Sequence, residues 1–382
     1  LNASDIHLEP QEGHTRLRLR LDGILQDVTF FTEDIYHHLL SRLKLLSKLK
    51  LNITERPQDG RFTVVVKDLS MEIRISTLPS EWGESIVMRL LNPRNLMELE
   101  VLGLRKDLYK LLEKEVHKTT RMIAVAGPTG CGKTTTLYAI LMKIYNPGVK
   151  IITIEDPIEY HLTGISQTQV VPEKGYSFAQ GLSSIVRQDP DVILVGEIRD
   201  SETARIALQA ALTGHLVLST LHSNDAAGTI ARLVNLGADL PSISAALGLV
   251  ISQRLLRKVC KKCSSLVRPT PAELKEIKNG LKNIHKEDVG LEKNLETIKI
   301  PQAKEGGCSD CNFTSYKGRK GLFEVFLNDA QLQKFILTNP PVSSLKDLLI
   351  KKGMITIYQS GLIEVVLGQT TIQEVKRVVE PD

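Results

Sequence analysis

The chain has 382 residues, 42% of them hydrophobic and 24% charged, which fits about two or three globular domains that each bury a core. An aromatic content of 4% and a net charge of +5 argue against a base-stacking surface for nucleic acid and against a dedicated polyphosphate binder. The sequence has no signal peptide and no apolar run of the roughly 18 residues that span a bilayer. We therefore predict a cytoplasmic protein that meets the membrane only through partners. The start at Leu1 rather than at Met predicts a missing upstream region.

Residues 1–91 predict a small α+β domain. Thr15–Leu21 alternates Arg and Leu as a half-buried strand does, Asp22-Gly23 predicts a hairpin turn, and Ile24–Phe31 returns as the second strand. Apolar residues at helical spacing predict a helix over Asp34–Leu51. Three further strands are expected at Arg61–Val66, Met71–Leu78 and Ser85–Leu91. Residues 92–103, with a proline and mixed charge, are typical of a linker.

Residues 104–382 predict an α/β domain, because short apolar strands without alternation are typical of a sheet covered on both faces. These strands are Met122–Ala126, Ile151–Ile154, Val192–Val195 and Leu216–Thr220. The Lys-rich stretch Pro271–Lys304 predicts an exposed helical insertion between two pairs of cysteines. Within this domain we expect a metal-binding element over 259–325 and short helices over 326–382.

The segment Gly127–Thr134 matches the full phosphate-loop pattern, GxxxxGK followed by Ser or Thr. An apolar strand precedes it and a predicted helix, Thr135–Ile144, follows it, so backbone N–H groups and the helix N-terminus would face phosphate oxygens. Lys133 would reach the β- and γ-phosphates of ATP, and the Thr134 hydroxyl would bind Mg²⁺. The predicted nucleotide contacts are Gly127, Pro128, Thr129, Gly130, Cys131, Gly132, Lys133, Thr134 and Thr135.

Cys131 lies inside this loop and allows two interpretations. It is either a small residue that fits the loop, whose backbone matters more than its side chain, or an oxidation-sensitive thiol, since a helix N-terminus lowers the pKa of a thiol. The first interpretation is favoured.

Acidic residues follow two of the predicted strands, at the edge where open α/β sheets bind ligands. Glu155 and Glu159 follow the second predicted strand, and Glu197 and Asp200 follow the third. A carboxylate there can orient the water that attacks the γ-phosphate or a water bound to Mg²⁺. The alternative is that these acids cap following helices, and it has most weight for Glu159 and Asp200. Which acid acts as the general base stays open.

Two histidines flank the fourth predicted strand, His215 before it and His222 after it. A polar end on this strand is a candidate to sense the γ-phosphate and to transmit hydrolysis across a subunit interface. A structural histidine with a satisfied hydrogen bond is the alternative for both residues.

Four of the five cysteines form two CxxC pairs, Cys260 with Cys263 and Cys308 with Cys311. In a cytosolic protein such pairs indicate a metal more than disulfides. Four thiolates suit tetrahedral Zn²⁺ with no open position, which predicts a structural zinc site. Redox-active cysteines are the alternative.

Four sequence blocks, in the order in which they occur, resemble the ATPases that power type II secretion and type IV pilus assembly. GPTGCGKTTTLYA (127–139), ITIEDPIEY (152–160), RQDPDVILVGEIRDSETA (187–204) and ALTGHLVLSTLHSNDA (211–226) resemble that family's Walker A, Asp box, Walker B and His box. Ser4–Pro10 and Glu55–Arg61 resemble motifs of its second N-terminal domain, and the CxxC pairs resemble its tetracysteine zinc element.

The resemblance implies a homohexameric ring in which a RecA-like ATPase domain follows a smaller, PAS-like α+β domain, while the family's first N-terminal domain is absent here. It implies that arginines of the N-terminal domain reach the phosphates of ATP, with Arg61 and Arg74 favoured over Arg56. It also implies a partner in the inner-membrane platform of a pilus or secretion machine, and hence peripheral association with the inner membrane.

Three alternatives stay open on the sequence. A pilus retraction motor resembles the same core but generally lacks the tetracysteine element, so the cysteines favour assembly or secretion. A nucleic-acid-translocating RecA-like motor is disfavoured by the mild charge and the few aromatic residues, and no direct nucleic-acid contact is expected. A non-catalytic nucleotide-binding scaffold is disfavoured by the presence of Lys133, Thr134, Glu155 and Glu197.

Overall fold

The computed structural model describes residues 3–66, 69–93, 98–284 and 295–381. The chain divides into two units, Leu1–Asn95 and Leu96–Asp382. This division falls inside the predicted linker 92–103, of which residues 94–97 lie outside the described ranges. Every helix in the described ranges is too short or too polar to cross a bilayer.

A six-stranded sheet with antiparallel neighbours forms most of the first unit. Its strands are β1 (Asp5–Gln11), β2 (His14–Leu21), β3 (Ile24–Phe31), β4 (Gln58–Val66), β5 (Leu69–Ser80) and β6 (Gly83–Leu91). They lie side by side in the order β3-β2-β1-β6-β5-β4. The predicted hairpin turn is confirmed, since Asp22 and Gly23 both adopt positive φ, 48° and 88°, as the favoured two-residue turn requires.

One helix, α1 (Glu33–Leu46), accompanies this sheet and ends before the predicted Leu51. Lys48 takes a left-handed φ of 59°, and the N–H of Leu49 donates to the carbonyl of Lys44 at 2.8 Å, so the backbone turns away from the helix axis. Leucines continue beyond the turn, which is why the apolar spacing alone predicted a longer helix.

The core of the first unit lies between α1 and one face of the sheet. Tyr36 and Leu43 of α1 pack with Leu8, Ile75 and Ile86 of the strands. A buried ion pair adds to this contact, with Lys44 Nζ at 2.5 Å from Glu84 Oε2. Removing one partner of such a pair costs about 3–5 kcal/mol because the other charge stays buried, so the pair ties the helix to the sheet in one register.

A seven-stranded sheet forms the centre of the second unit. Its strands are β7 (Arg121–Ala126), β8 (Ile151–Glu155), β9 (Ser166–Gln169), β10 (Val192–Val195), β11 (Leu216–Leu221), β12 (Leu247–Val259) and β15 (Tyr316–Leu327). They lie in the order β15-β12-β7-β11-β10-β8-β9, and all neighbours are parallel except β12 and β15. The predicted α/β class with a parallel sheet is confirmed, and the four predicted strands are present as β7, β8, β10 and β11.

Helices cover both faces of this sheet. The helices of the second unit are α2 (Lys106–Val116), α3 (Lys133–Ile144), α4 (Phe178–Ile185), α5 (Ser201–Leu212), α6 (Ala227–Asn235), α7 (Leu240–Ala246), α8 (Pro271–Gly280), α9 (Ala330–Ile336), α10 (Val342–Lys351), α11 (Ile357–Val366) and α12 (Ile372–Val378). Helices α2 and α3 pack on one face, whereas α4 to α7, α9 and α10 pack on the other. The strands are therefore buried on both sides, as their apolar runs predicted.

The strands β12 and β15 were not predicted, although they pair along most of their length. Ser252, Gln253 and Arg254 interrupt the apolar run of β12, so the sequence shows neither a buried run nor an alternation. The polar residues are placed by tertiary neighbours that the sequence does not reveal.

The expectation of an exposed insertion over Pro271–Lys304 is wrong for its described residues, 271–284 and 295–304. Helix α8 and strand β14 (Ile300–Gln302), which pairs with β13 (Ser265–Val267), belong to a third core. Ile277 and Leu281 are buried there against Tyr358 and Leu362 of α11. The leucines and isoleucines among the described residues of this Lys-rich segment belong to that core, which average composition cannot show.

Candidate phosphate site and cysteine cluster

The carboxyl ends of four neighbouring parallel strands meet at one edge of the large sheet. Ala126 of β7 lies opposite Leu221 of β11, and Val195 of β10 lies opposite Ser219 of β11 and Ile154 of β8. The residues that follow each strand are therefore neighbours across the edge. They include the loop that begins at Gly127, together with His222, Glu197 and Glu155.

The loop between β7 and α3 has a backbone that only glycine adopts readily. Gly127, Gly130 and Gly132 have φ values of 148°, 78° and 92°. A Cβ on Gly127 would lie 2.6 Å from Cys131 Sγ, so no larger residue fits there. Helix α3 begins directly after this turn, and its N-terminus adds a positive partial charge. A loop of this form followed by a helix N-terminus binds phosphate groups.

Lys133 and Thr134 lie at the start of α3. Lys133 Nζ donates to the carbonyls of Gly127 and Pro128, at 2.8 and 3.1 Å. Burial lowers the pKa of Lys133, against the opposing effects of Cys131 and Glu197. The hydroxyl of Thr134 has no hydrogen-bond partner in the part of the chain that the structure describes, so its oxygen is able to coordinate a metal ion.

Cys131 is 4% exposed, and burial raises the pKa of its thiol although Lys133 and Arg254 oppose this effect. The thiolate is the reactive form of cysteine. A buried thiol with a raised pKa favours the interpretation of Cys131 as a small residue that fits the loop.

Glu197 is the carboxylate that faces this loop, with an arginine on one side and a histidine on the other. Its Oε1 lies 2.5 Å from Arg199 Nη2, and its Oε2 lies 3.6 Å from His222 Nε2. Arg199 also reaches Asp156, at 3.7 Å. The residues that follow β8, β10 and β11 thus form one charged cluster, which includes Arg199, a residue that no sequence motif singled out.

Glu155 has a different environment. It is 3% exposed, and its carboxylate accepts hydrogen bonds from Thr153 Oγ1 at 2.6 Å, from Gln167 Nε2 at 3.1 Å and from the Tyr138 hydroxyl. Because three donors within the protein already engage it, this carboxylate has little capacity for further contacts. Tyr138 belongs to α3, so Glu155 links β8 to the helix that follows the phosphate loop.

The other predicted acids differ in their surroundings. Glu159 is half-buried in an irregular segment that leads to β9 and not to a helix, so the helix-cap alternative is wrong for it. Asp200 accepts a hydrogen bond from the N–H of Thr203 at 2.8 Å and caps α5, as its alternative interpretation held.

The structure does not bring His215 to this edge. His215 precedes β11 and therefore lies at the amino end of the strand whose carboxyl end leads to His222. Its Nδ1 lies 2.9 Å from the carbonyl oxygen of Ala210 at the end of α5. This contact favours the alternative interpretation, in which His215 is a structural histidine with a satisfied hydrogen bond.

Arg61 and Arg74 lie in the first unit, directly opposite each other on β4 and β5. Arg74 is in turn opposite Arg89 on β6, a third arginine in the same cross-strand row that the sequence analysis missed. Arg74 Nε lies 3.4 Å from Glu72 Oε1, whereas Arg61 is exposed and forms no ion pair within the described ranges. Registers of this kind are invisible before strand pairing is known.

The four cysteines of the CxxC pairs come together although 48 residues separate Cys260 from Cys308. Their Sγ atoms all lie within 4.8 Å of one another, with 3.9 Å between Cys260 and Cys308, 3.9 Å between Cys263 and Cys311 and 3.8 Å between Cys308 and Cys311. A disulfide would need about 2.0 Å. A tetrahedral zinc with Zn–S bonds of about 2.3 Å has sulfur separations of roughly 3.8 Å, so this donor set fits zinc.

The family model described as type II/IV secretion system protein matches residues 1–377. The chain belongs to this family.

Relatives of similar sequence include the type IV pilus assembly ATPase PilB of Thermus thermophilus, 40% identical over 98% of this chain, and the type II secretion system protein E of Dickeya dadantii, 40% identical over 100% of it. The chain spans 41% of the length of the first relative and 73% of the second.

Two solved structures have the same fold. The Legionella pneumophila ATPase DotB aligns with a TM-score of 0.70 at 20% identity, covering 98% of this chain and 91% of DotB. The pilus retraction motor PilT with bound ADP aligns with a TM-score of 0.64 at 26% identity, covering 100% of this chain and 94% of PilT. The likeness to DotB supports the α/β fold with its parallel sheet.

We expect the His222 imidazole to titrate below its ordinary pKa of 6.5, because burial and the positive charge of Lys133 disfavour the protonated ring more than Glu197 favours it. His222 is then neutral at pH 7. An NMR titration, with the His222 signal assigned by its loss in His222→Gln, measures this pKa. Lys133→Met should raise the pKa, and Lys143→Met, at the other end of α3, should leave it unchanged. A pKa that does not move in Lys133→Met contradicts this electrostatic account.

Proposed function

We propose that this chain is an ATPase of a motor that powers type IV pilus assembly or type II protein secretion. The observation that carries the proposal is the meeting of Lys133, Glu197 and His222 at one edge of the sheet, beside a glycine-rich loop and a helix N-terminus. The names of the relatives favour this class over a non-catalytic scaffold.

The nucleotide is held by its phosphates. The N–H groups of Thr129, Gly130 and Gly132 and the N-terminus of α3 surround the phosphate oxygens, and Lys133 exchanges its bonds to the loop carbonyls for the β- and γ-phosphates. Thr134 and Thr135 complete the contacts. The unengaged Thr134 hydroxyl suits Mg²⁺, which neutralises phosphate charge when it is bound.

Glu197 is the acid that we assign to the attacking water. Its side chain is 15% exposed, with Arg199 at one carboxylate oxygen and the His222 ring 3.6 Å from the other, so the second oxygen can accept a hydrogen bond from water. Glu155 serves instead to position α3 through Tyr138, since its carboxylate is already engaged three times. Glu159, which is half-buried beyond β8, is a further candidate for the magnesium-bound water, and His222 reports the γ-phosphate through its contact with Glu197.

Arginines of the first domain complete the site. We assign residues 1–91 to the family's second N-terminal domain with a PAS-like fold, 92–103 to a linker, and 104–382 to a RecA-like domain with C-terminal helices over 326–382. Arg61 and Arg74 of the first domain supply the bidentate cations that stabilise the transferred phosphate. Six copies form the ring, and loss of the γ-phosphate releases the arginines and lets the domains move.

The partner of this ring is the platform protein of the inner membrane, which recruits a cytoplasmic motor to the membrane. Pilus retraction is the second candidate, favoured by the likeness to PilT over the whole chain. The cysteine cluster favours assembly or secretion.

Zinc in the cysteine cluster is structural in this proposal. Four thiolates leave no position open for a substrate. The cluster joins the end of β12 to the segment before β15, since Cys260 follows Val259 directly and its N–H donates to the carbonyl of Ser315 at 2.9 Å. We assign the zinc-binding element to residues 259–325.

Glu197→Gln should bind ATP with nearly unchanged affinity but lose turnover by roughly 10²-fold or more, because the amide keeps the shape and cannot take a proton from water. Binding of a fluorescent ATP analogue and release of phosphate measure the two effects. Glu202→Gln, exposed in the first turn of α5, removes the same charge away from the cluster and should keep wild-type turnover. Normal hydrolysis by Glu197→Gln would show that another group activates the water.

Arg61→Ala and Arg74→Ala should each lower turnover on the order of 10³-fold while nucleotide binding stays measurable, because the phosphate loop lies in the other domain. Phosphate release by the assembled ring is the measurement. Arg42→Ala removes an exposed charge from α1 of the same unit and should have no effect. Wild-type rates in both strand variants overturn the proposed arginine contacts.

Elemental analysis should find about one zinc per chain. Cys263→Ser should reduce this content and lower the melting temperature, since a structural zinc contributes to folding. Cys131→Ser should keep the full zinc content, because Cys131 lies outside the cluster. Equal zinc in the two variants would refute the assigned ligands.

A further inference from the structure

Gln253 of β12 contacts the phosphate loop. It does so from the side of β7 opposite to β11, β10 and β8, whose ends carry the charged cluster. β12 is the neighbour of β7 on that side, and Ser252 lies opposite Ala126, the last residue before the loop. The Gln253 side chain is 3% exposed. Its Nε2 donates to the carbonyl of Cys131 at 2.9 Å, and its Oε1 accepts from Thr136 Oγ1 of α3 at 2.7 Å.

The phosphate loop packs closely against Gln253. A Cβ on Gly132 would lie 2.9 Å from Gln253 Nε2, and a Cβ on Gly127 would lie 2.6 Å from the Gln253 carbonyl oxygen. Both glycines therefore permit the approach of this one residue, besides adopting positive φ.

The backbone of Gln253 is itself held in place. Its carbonyl accepts a hydrogen bond from Arg254 Nη1 at 3.0 Å. Arg254 Nη2 donates in turn to the carbonyl of Asn224, two residues beyond His222, at 2.5 Å. Residue 253 is also paired with Phe323 of β15 on the other side. Gln253 is thus a rigid support for the loop.

The bond to Cys131 has a consequence for the orientation of the next N–H group. A trans peptide is planar, and its C=O and N–H point in opposite directions. The carbonyl of Cys131 and the N–H of Gly132 belong to one peptide unit, so holding the carbonyl toward Gln253 turns this N–H to the opposite side, away from Gln253. The Gly132 N–H has no acceptor among the described residues, which leaves it available to a phosphate oxygen.

We propose that Gln253 is a positioning residue for the nucleotide phosphates: by holding the Cys131 carbonyl, it fixes the Gly132 N–H in the orientation that binds them. This inference rests on the proposed ATPase function and adds a residue outside the phosphate-loop pattern. Gln253 touches no substrate itself and acts through the loop backbone.

Gln253→Met tests the proposal on the full chain, because it keeps the length of the side chain and removes both hydrogen bonds. Leaving the buried Cys131 carbonyl without a donor should weaken binding of Mg·ADP on the order of tenfold, measured by calorimetry. The Cys131 thiol, which packs against Gly127, should react faster with a thiol reagent, as located by peptide mass mapping, and Mg·ADP should slow this reaction again.

Gln359→Met is the matched control. Gln359 also makes two hydrogen bonds through its side chain, to Gly280 and from Thr356, both at 3.0 Å, in the C-terminal helices. The Gln359→Met variant should have a lower melting temperature than wild type, and its Mg·ADP affinity and Cys131 reaction rate should stay at wild-type values.

Three results overturn the proposal: unchanged Mg·ADP affinity in Gln253→Met, an unchanged Cys131 rate, or equal changes in Gln359→Met, which would indicate general loss of stability. A wild-type chain that binds Mg·ADP without hydrolysing ATP would contradict the proposed function and leave this inference intact. The Cys131 rate requires no hydrolysis, so the two failures are distinguishable.

Discussion

The parallel pairing of β7, β11, β10 and β8 is the constraint on which the site depends. Parallel strands share one direction, so the residues after each strand meet at the same edge of the sheet. Residues that are far apart in sequence, such as Lys133, Glu197 and His222, become neighbours there. Such a sheet must be covered on both faces, and the two large cores on either side meet that requirement. The apolar strands therefore fix the positions of the polar residues that follow them in the chain.

The electrostatics of this edge suit a highly charged anion. Lys133 and Arg199 both lie near Glu197, Arg254 lies near Lys133, and Arg199 also reaches Asp156. The pKa of His222 is lowered, first by burial and then by Lys133, so the ring adds no charge at neutral pH. A neutral ring between Glu197 and the phosphate loop can accept or donate a hydrogen bond without competing with Lys133 for the anion.

The cysteine cluster and the phosphate loop are linked through β12. This strand carries Gln253 against the loop and ends at Val259, immediately before Cys260. Its antiparallel partner β15 begins a few residues after Cys311. A metal bound by the four sulfurs would hold the far ends of both strands together, which gives a structural zinc a physical connection to the site without any part in the chemistry.

The sequence by itself determined the features that depend on local pattern. The phosphate loop needs glycines at set spacings for its positive φ values, the buried strands need unbroken apolar runs, and the thiols of a zinc site need short CxxC spacings, so each feature can be recognised without the fold. Tertiary structure alone decided the rest. It placed His215 at the amino end of β11, away from the phosphate loop, and engaged Glu155 in three internal hydrogen bonds. It packed apolar residues from the described part of the Lys-rich insertion into a core formed with α11. It also brought Gln253 and Arg89 to positions that no spacing indicates, because strand order and register are set by packing between residues far apart in the chain.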